Sequence, residues 1–390
     1  MGDANDDYVI SYKVTMGTDA HSVYISPFSK EIKLELSPRN LQQDTLLELV
    51  SNVLLNDVFG DELAEFNQLL SNKKESNVIL PYSSNYNVIF SLFTESGKTL
   101  SWDIDESVSL FTPIFEKLSH FTNFTVSSQI QYYSNLADDL FVEKDDSFVI
   151  SQSDLSTFIN FGDWNLFTHD INPTINFLVF FPKANYEDIP SIIENSVSNS
   201  FLVPQWGGVS ILNKPMAHDT ENVITKEDLL PIMETFASHL FQLLGMPQKP
   251  KSPSIRIDSL SRLTVYKNLK QALENLNSLV KLTESLSEIS IPELTRQYVL
   301  DSLDYIEESM YAVEDQDFKL SMTLSSKALQ NSNDAFFEKE MVQQAYFPSE
   351  HKMAVFLPLI GPVSTVCLIG LLKLIRDKRS KKQEQAKKDD

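Results

Sequence analysis

The sequence predicts a mixed α/β lobe of layered sheet and helices, followed by a helical stalk and a C-terminal transmembrane helix. Short β-branched and aromatic runs fill the first half, helical periodicity continues without strand signals after residue 253, and residues 353–372 carry no charge. The predicted boundaries are residues 1–246 for the lobe, 247–253 for a Pro-rich linker, 254–350 for the stalk, 351–375 for the membrane helix and 376–390 for a basic tail.

Runs rich in β-branched and aromatic residues predict the strands of the lobe. Several of these runs are continuously apolar, as expected for strands that are covered on both faces of a sheet. The predicted strands are Tyr8–Val14, Ile32–Leu36, Asn87–Phe93, Thr125–Tyr133, Ile175–Phe181 and Val209–Leu212.

Helical spacing of apolar residues lies between these strands, at residues 46–54 and 108–118. A longer helix is predicted after Thr225 and Asp228, which resemble a capping box, and Gly245 marks its end. Beyond the linker, two sets of apolar residues recur at helical spacing and predict the buried faces of the stalk. They are Leu269, Leu273, Leu276 and Val280, then Leu294, Val299, Leu303 and Ile306.

The run Met353–Leu372 predicts the membrane helix, because twenty uncharged residues at 1.5 Å per residue span a hydrocarbon core of about 30 Å. It contains Pro358, Gly361, Pro362 and Gly370, residues that are costly in a soluble helix but tolerated in membranes. Their small or kinked surfaces allow close approach of other helices, so we expect them at helix packing contacts. A buried core helix is the alternative interpretation.

Basic residues follow this run directly and predict that the tail faces the cytosol, since positive charge favours that side. The bulk of the chain then faces the opposite side. Lys387 and Lys388 occupy the fourth and third positions from the end, a pattern that resembles the dilysine retrieval signal of endoplasmic reticulum membrane proteins. A generic solvated tail is the alternative.

The composition excludes several classes of function. Lys and Arg sum to 32 against 54 Asp and Glu, a net charge of −22, which argues against a nucleic-acid partner. Only 10 glycines occur, without a Gly-rich phosphate loop, so nucleotide chemistry is disfavoured. The single cysteine, Cys367, lies in the apolar run, which rules out an intrachain disulfide and makes a catalytic thiolate implausible.

Candidate catalytic groups are few. His169 beside Asp170 and His218 beside Asp219 resemble the histidine–carboxylate pairs that act as general bases in enzymes. Side chains of adjacent residues, however, point in different directions. The acidic residues around Asp103 suit a hard cation, although an acidic first turn that complements the helix dipole explains them more simply. We therefore predict no catalytic residue, no metal and no cofactor.

The segment Asn123-Phe124-Thr125 matches the N-glycosylation sequon, whereas Asn172-Pro173-Thr174 is excluded by its proline. A glycan at Asn123 is expected if the lobe lies on the lumenal side. Trp206 precedes the paired glycines Gly207 and Gly208, an arrangement that allows close backbone approach beside a large anchor, in the core or at an interface.

Several segments together resemble the PIG-S subunit family of the glycosylphosphatidylinositol (GPI) transamidase, in a fungal-type form. The most specific parts are the Pro-x-Trp-Gly-Gly strand entry and the aromatic junction that leads into the membrane. The segments are Ser151–Asn165, Asn176–Pro182, Phe201–Asn213, Phe241–Gly245 and Ala335–Pro362. The resemblance covers nearly the whole chain.

The resemblance implies a non-catalytic structural and recruiting subunit of the complex that attaches GPI anchors to proteins in the endoplasmic reticulum. It implies a lumenal lobe, contact with membrane lipid, and other transamidase subunits as partners, including a Cys-protease-like catalytic subunit. The GPI and proprotein substrates would interact with this chain at most indirectly. Family members have a hydrophobic segment ahead of the lumenal domain, whereas this chain begins MGDANDDYVI, so we expect a shortened N-terminus.

Two other functions stay open from the residues. One is an independent hydrolase that uses His169 or Asp103, and the other is an endoplasmic reticulum cargo or trafficking adaptor that displays Lys387 and Lys388.

Overall fold

The structure is a computed structural model that describes residues 13–17, 22–26, 29–35, 43–71, 78–134, 142–144, 146–152, 154–155, 172–215, 222–285, 291–339 and 349–386. These residues form two compact units. The first comprises residues 1–268 and 308–326, and the second comprises residues 269–307 and 327–390. The predicted lobe, linker and stalk boundaries stay predictions.

Strands and helices are numbered in chain order. The strands are β1 (Lys13–Gly17), β2 (Ser22–Ile25), β3 (Glu31–Glu35), β4 (Asn85–Thr94), β5 (Leu100–Trp102), β6 (Asn123–Gln131), β7 (Val142–Lys144), β8 (Ser147–Ile150), β9 (Thr174–Phe181), β10 (Ser191–Ile193), β11 (Ser200–Val203), β12 (Gly207–Ile211) and β13 (Asn222–Ile224). The helices are α1 (Gln43–Asn52), α2 (Gly60–Leu70), α3 (Ile104–Val108), α4 (Thr112–Leu118), α5 (Lys226–Leu243), α6 (Pro253–Ser285), α7 (Glu293–Glu314), α8 (Phe318–Phe336) and α9 (Ser349–Ala386). A π-helical segment, Val53–Val58, follows α1, and a 3-10 turn, Lys183–Tyr186, follows β9.

A five-stranded sheet of order β11-β12-β9-β4-β6 is the main sheet of the first unit. All its pairings are parallel except that of β11 with β12. Every residue of β9 but Thr174 is buried, and β4 is nearly as apolar, because both strands lie inside the sheet. Four predicted strands coincide with β4, β6, β9 and β12, so the mixed α/β class is confirmed.

Three smaller sheets complete the strands of this unit, with orders β1-β3-β2, β10-β8-β7 and β13-β5. Residues 32–35 of the predicted strand Ile32–Leu36 lie in β3, where Ile32 and Leu34 are buried and pack with Val53 and Val58, and Leu36 lies outside the described residues. The predicted strand Tyr8–Val14 falls largely outside the described residues, and only its end overlaps β1.

Stacked aromatic rings fill the core between the main sheet and α5. The Phe177 ring lies 4.8 Å from that of Phe236 on α5 and 5.4 Å from that of Phe90 on β4, measured between ring centroids. Each ring is fully buried, and such pairs add about 0.5–1.5 kcal/mol to the burial of their area. The core therefore fixes α5 against the buried strands.

The ends of α5 are the ones that the sequence predicts. Thr225 and Asp228 form the capping box, in which the Thr225 backbone N–H donates to the Asp228 carboxylate at 2.8 Å. Gly245, just beyond the helix, has a φ of 74°, the left-handed conformation that glycine adopts without strain.

The predicted single helix over residues 108–118 is wrong. The structure has two short helices, α3 and α4, separated at Ser109–Phe111. Pro113 lies in the first turn of α4 and has no backbone N–H to donate to a preceding turn, so a new helix begins there.

Helices alone occur from residue 253 onward in the described part of the chain, as predicted. In the second unit, Leu276 and Ile306 pack in a cluster with Ala272 and Ala328. Four residues that were predicted to face inward are instead about half exposed: Leu273, Val280, Leu294 and Leu303.

Small polar residues take the inward positions of α7 in the second unit. Thr295 and Ser302 are fully buried, and the Ser302 hydroxyl donates to the Ala328 carbonyl oxygen of α8 at 2.9 Å. Small side chains allow the two helix backbones to approach closely, and this displaces the leucines outward. In the first unit, Ser309 and Ser321 make a similar pair, with their hydroxyl oxygens 2.9 Å apart.

Candidate functional site

Helix α9 contains the segment Phe356–Arg376, which is 21 residues long and apolar enough to cross a membrane. Within the described residues it is the one helix with this property. Its apolar side chains are exposed all round the helix, and none of the segment is buried in the chain. A helix that is apolar on every side is stable only where lipid or other apolar helices surround it. The segment overlaps the predicted run Met353–Leu372.

The helix supplies partners for its own hydroxyl groups. Thr365 donates to the Gly361 carbonyl oxygen at 2.6 Å, and Ser364 donates to the same oxygen at 3.0 Å. Polar groups in hydrocarbon need such internal partners, because no water is present to replace them. The hydroxyls are therefore compatible with a membrane segment.

The two glycines of this segment lie on opposite sides of the helix. Gly370 is nine positions after Gly361, a rotation of about 180° on a helix of 3.6 residues per turn. Pro358 lies about 60° from Gly361 around the helix, whereas Pro362 lies about midway between the two glycines. Neither glycine has a neighbouring atom within 4 Å of the position that a Cβ would occupy. Both helix surfaces are consequently open to close approach by another helix.

Asn123 is the first residue of β6, at one end of the main sheet. Its side chain and that of Thr125 are exposed, and the Asn123 Nδ2 donates to the Asn85 Oδ1 at 3.4 Å. The sequon is thus extended, accessible and held at a strand end. Both side chains that define the sequon are therefore accessible in the folded chain.

Close packing around the Pro-x-Trp-Gly-Gly segment requires both of its glycines. A Cβ at Gly207 would overlap the backbone oxygen of Asn176 in the neighbouring strand, and a Cβ at Gly208 would overlap the His239 ring on α5. Trp206 packs against the apolar cluster that includes Phe180 and Val209. The segment is therefore a core element that allows sheet and helix to approach closely.

His239 is a buried titratable residue that the sequence did not single out. Its side chain is buried, and its Nδ1 has no hydrogen-bond partner within the part of the chain that the structure describes. Burial lowers the pKa of His239 to about 4, because the charged imidazolium is poorly solvated there. Helical periodicity places His239 on α5, but its contact with Gly208 is visible only in the structure.

The comparison with known families covers almost the entire chain. The PIG-S family, described as phosphatidylinositol-glycan biosynthesis class S protein, matches residues 2–381. The chain belongs to the PIG-S family. The resemblance inferred from the segments above is thereby confirmed.

Named relatives of this PIG-S chain come from yeasts and mammals. The GPI transamidase component GPI17 of Saccharomyces cerevisiae is 31% identical over 394 aligned positions, which are 95% of this chain and 73% of the relative. The GPI transamidase component PIG-S homolog of Schizosaccharomyces pombe is 28% identical, over 78% of this chain and 56% of its own length. The GPI-anchor transamidase component PIGS of Bos taurus is 26% identical, over 98% and 74%.

The structure describes only some of the other predicted groups of this PIG-S chain. Asp105 and Glu106 lie in the first turn of α3, and no three His, Cys, Asp or Glu residues gather as metal ligands among the described residues. Cys367 is exposed on α9. His169, His218, Lys387 and Lys388 lie outside the described residues.

Proposed function

We propose that this chain is a non-catalytic structural and recruiting subunit of the GPI transamidase in the endoplasmic reticulum membrane. The observation that carries the proposal is its membership of the PIG-S family together with relatives that are named as transamidase components. The adaptor alternative has no support from these relatives. Other transamidase subunits, including a Cys-protease-like subunit, are the proposed partners, and the GPI and proprotein substrates are bound mainly by them.

Cysteine usage supports a non-catalytic role. A Cys-protease-like reaction needs a thiolate beside a histidine in a polar setting, because the thiolate is the nucleophile. The chain has one cysteine, Cys367, and it is exposed on the apolar segment of α9. In hydrocarbon the charged thiolate is strongly disfavoured. The nucleophile therefore comes from another subunit.

The proposed topology places residues 1–246 and 254–350 in the lumen, joined by the linker 247–253. The membrane helix covers residues 351–375, and the basic tail at 376–390 lies in the cytosol, where Lys387 and Lys388 act as a retrieval signal. Positive charge supports this orientation, since Lys373, Arg376 and Lys378 immediately follow the apolar residues. Asn123 is then accessible to lumenal glycosylation.

Purification of the tagged full chain in mild detergent, at native expression level, tests the proposal. We expect a stable complex that contains a Cys-protease-like subunit, identified by mass spectrometry. A tagged Cys367→Ser chain is the matched control and should recover the same subunits, because the thiol has no role in assembly. Recovery of the chain alone would overturn the proposal.

A further inference from the structure

The two edges of the main sheet differ in length. β11, at one edge, has four residues, whereas β6, at the other, has nine and pairs only with β4 among the described residues. Nine residues at roughly 3.3 Å each give an edge of about 30 Å. Its outer backbone N–H and C=O groups can pair with another strand.

Proteins protect edge strands by making them short, or by placing charges, prolines or bulges in them. β11 is protected by its shortness. β6 reads Asn-Phe-Thr-Val-Ser-Ser-Gln-Ile-Gln, with no charged residue, no proline and no glycine, and Val126 is 37% exposed. A second copy of the chain would present the same uncharged strand, so symmetric pairing of two β6 edges meets no local repulsion.

The sequon lies at the start of this edge, on which no strand of the described residues pairs. Asn123 shares a sheet face with Thr125 and Ser127, since side chains alternate along a strand. The opposite face packs against α4, where the Phe124 and Phe115 rings stack with centroids 4.5 Å apart. A group attached to Asn123 therefore leaves from the face that α4 does not cover.

We propose that an N-linked glycan on Asn123 covers the β6 edge and prevents its pairing with β6 of a second copy. The inference depends on the lumenal location in the proposed function. Modification forms a bond from Nδ2 to the anomeric carbon of an oligosaccharide and breaks the bond of that carbon to a lipid-linked pyrophosphate. The lipid pyrophosphate is the leaving group, and Nδ2 releases one proton.

The local hydrogen bond is compatible with this modification. The modified Nδ2 keeps one hydrogen, so it can still donate to the Asn85 Oδ1. The base of the glycan thus lies on the exposed sheet face between β6 and β4, and its sugars must extend from there across Thr125 and Ser127 to cover the outer edge. No charge has to be desolvated on either side.

The test uses the full chain purified in detergent from its native membrane. Mass spectrometry should find a glycan on Asn123. Trimming of the glycan on the folded protein by an endoglycosidase, which leaves one uncharged sugar on Asn123 and creates no carboxylate, should shift the sedimentation profile from the glycosylated species to one larger by a second copy. Because the glycan is trimmed after folding, a folding defect does not enter the result.

Variants distinguish the effect of losing the glycan from the effect of changing the side chains themselves. Asn123→Gln and Thr125→Val both remove the sequon and should both give the larger species, whereas Thr125→Ser keeps the sequon and should not. Adding Ser127→Lys to Asn123→Gln places a charge on the edge and should return the protein to the smaller species.

Three results would overturn the inference. They are an unmodified Asn123 in a lobe that sealed microsomes protect from protease, an unchanged sedimentation profile after glycan trimming, and a larger species that contains a different subunit instead of a second copy. Each leaves the co-purification with a Cys-protease-like subunit unaffected. A lobe that protease degrades in sealed microsomes would instead overturn both the glycan and the lumenal topology.

Discussion

At the scale of single residues, burial of His239 makes the stability of the first unit depend on pH. The folded pKa is about 4, against an ordinary value of 6.5. The packing that causes this is specific: Gly208 lacks a side chain at the place where the ring lies, and the Phe236 ring lies 6.3 Å away. Sequence periodicity places His239 on α5 but does not reveal which strand residue opposes it.

We predict that this burial lowers the free energy of unfolding as the pH falls from about 6.5 to about 4. In that interval the unfolded chain binds a proton that the folded imidazole does not bind, so acid favours unfolding. At about 1.4 kcal/mol per pKa unit the loss is on the order of 3 kcal/mol. Urea unfolding at a series of pH values measures it. The His239→Gln variant should show a flatter dependence over the same range, and an equal slope in both proteins would contradict the assignment.

At the scale of the elements, the strands β4, β6, β9 and β12 of the main sheet were predictable, whereas most of the short strands and the helix contacts were not. β4 and β9 are long apolar runs whose burial follows from composition alone. On α7, however, hydrophobic periodicity selected Leu294 and Leu303, whereas Thr295 and Ser302 are the buried residues. A hydrophobicity pattern counts serine as polar and therefore predicts that it is exposed. Ser302 is buried because its hydroxyl finds a carbonyl oxygen of another helix as a partner, and the pattern does not contain that information.

We predict that Ser302 contributes more to the stability of the second unit than the adjacent Leu303. Ser302→Leu inserts bulk between two close backbones and should cost about 1–3 kcal/mol, whereas Ser302→Ala loses one hydrogen bond worth about 1 kcal/mol. Leu303→Ala should cost less than about 1 kcal/mol, because Leu303 is about half exposed. The same change at a buried leucine would cost about 2–5 kcal/mol. Chemical denaturation of each variant measures these costs. A Leu303→Ala cost above that of Ser302→Leu would instead support the prediction, made from hydrophobic periodicity, that Leu303 faces inward.

We predict that α9 packs against partner helices on both of its glycine surfaces. Gly361→Leu and Gly370→Leu should each weaken association by about 1 kcal/mol or less, up to roughly a fivefold loss of partner recovery, without clashing within the chain. Leu371→Phe is the control, since Leu371 lies about a quarter turn from either glycine. Quantitative co-purification measures the loss. Full recovery with both leucine variants would place the assembly surface on the lobe.

At the scale of the whole molecule, this member of the PIG-S family has mixed α/β sheets and helices and an apolar C-terminal helix in its described residues. The family could be inferred from sequence, because its segments are specific in combination. That the chain supplies no catalytic residue stays a prediction, and it depends mainly on the single cysteine. Which subunit contacts which surface depends on complementary surfaces of other chains, so this sequence does not encode it by itself.

Measurement of GPI attachment in cells that lack the chain tests the central claim most directly. We predict that the unprocessed precursor of a GPI-anchored reporter accumulates, and that the wild-type chain and Cys367→Ser restore attachment equally. Both outcomes follow from a subunit that is required for assembly but supplies no nucleophile. Normal attachment without the chain would contradict its place in the transamidase, and failure of a fully expressed, assembled Cys367→Ser chain would contradict its non-catalytic role.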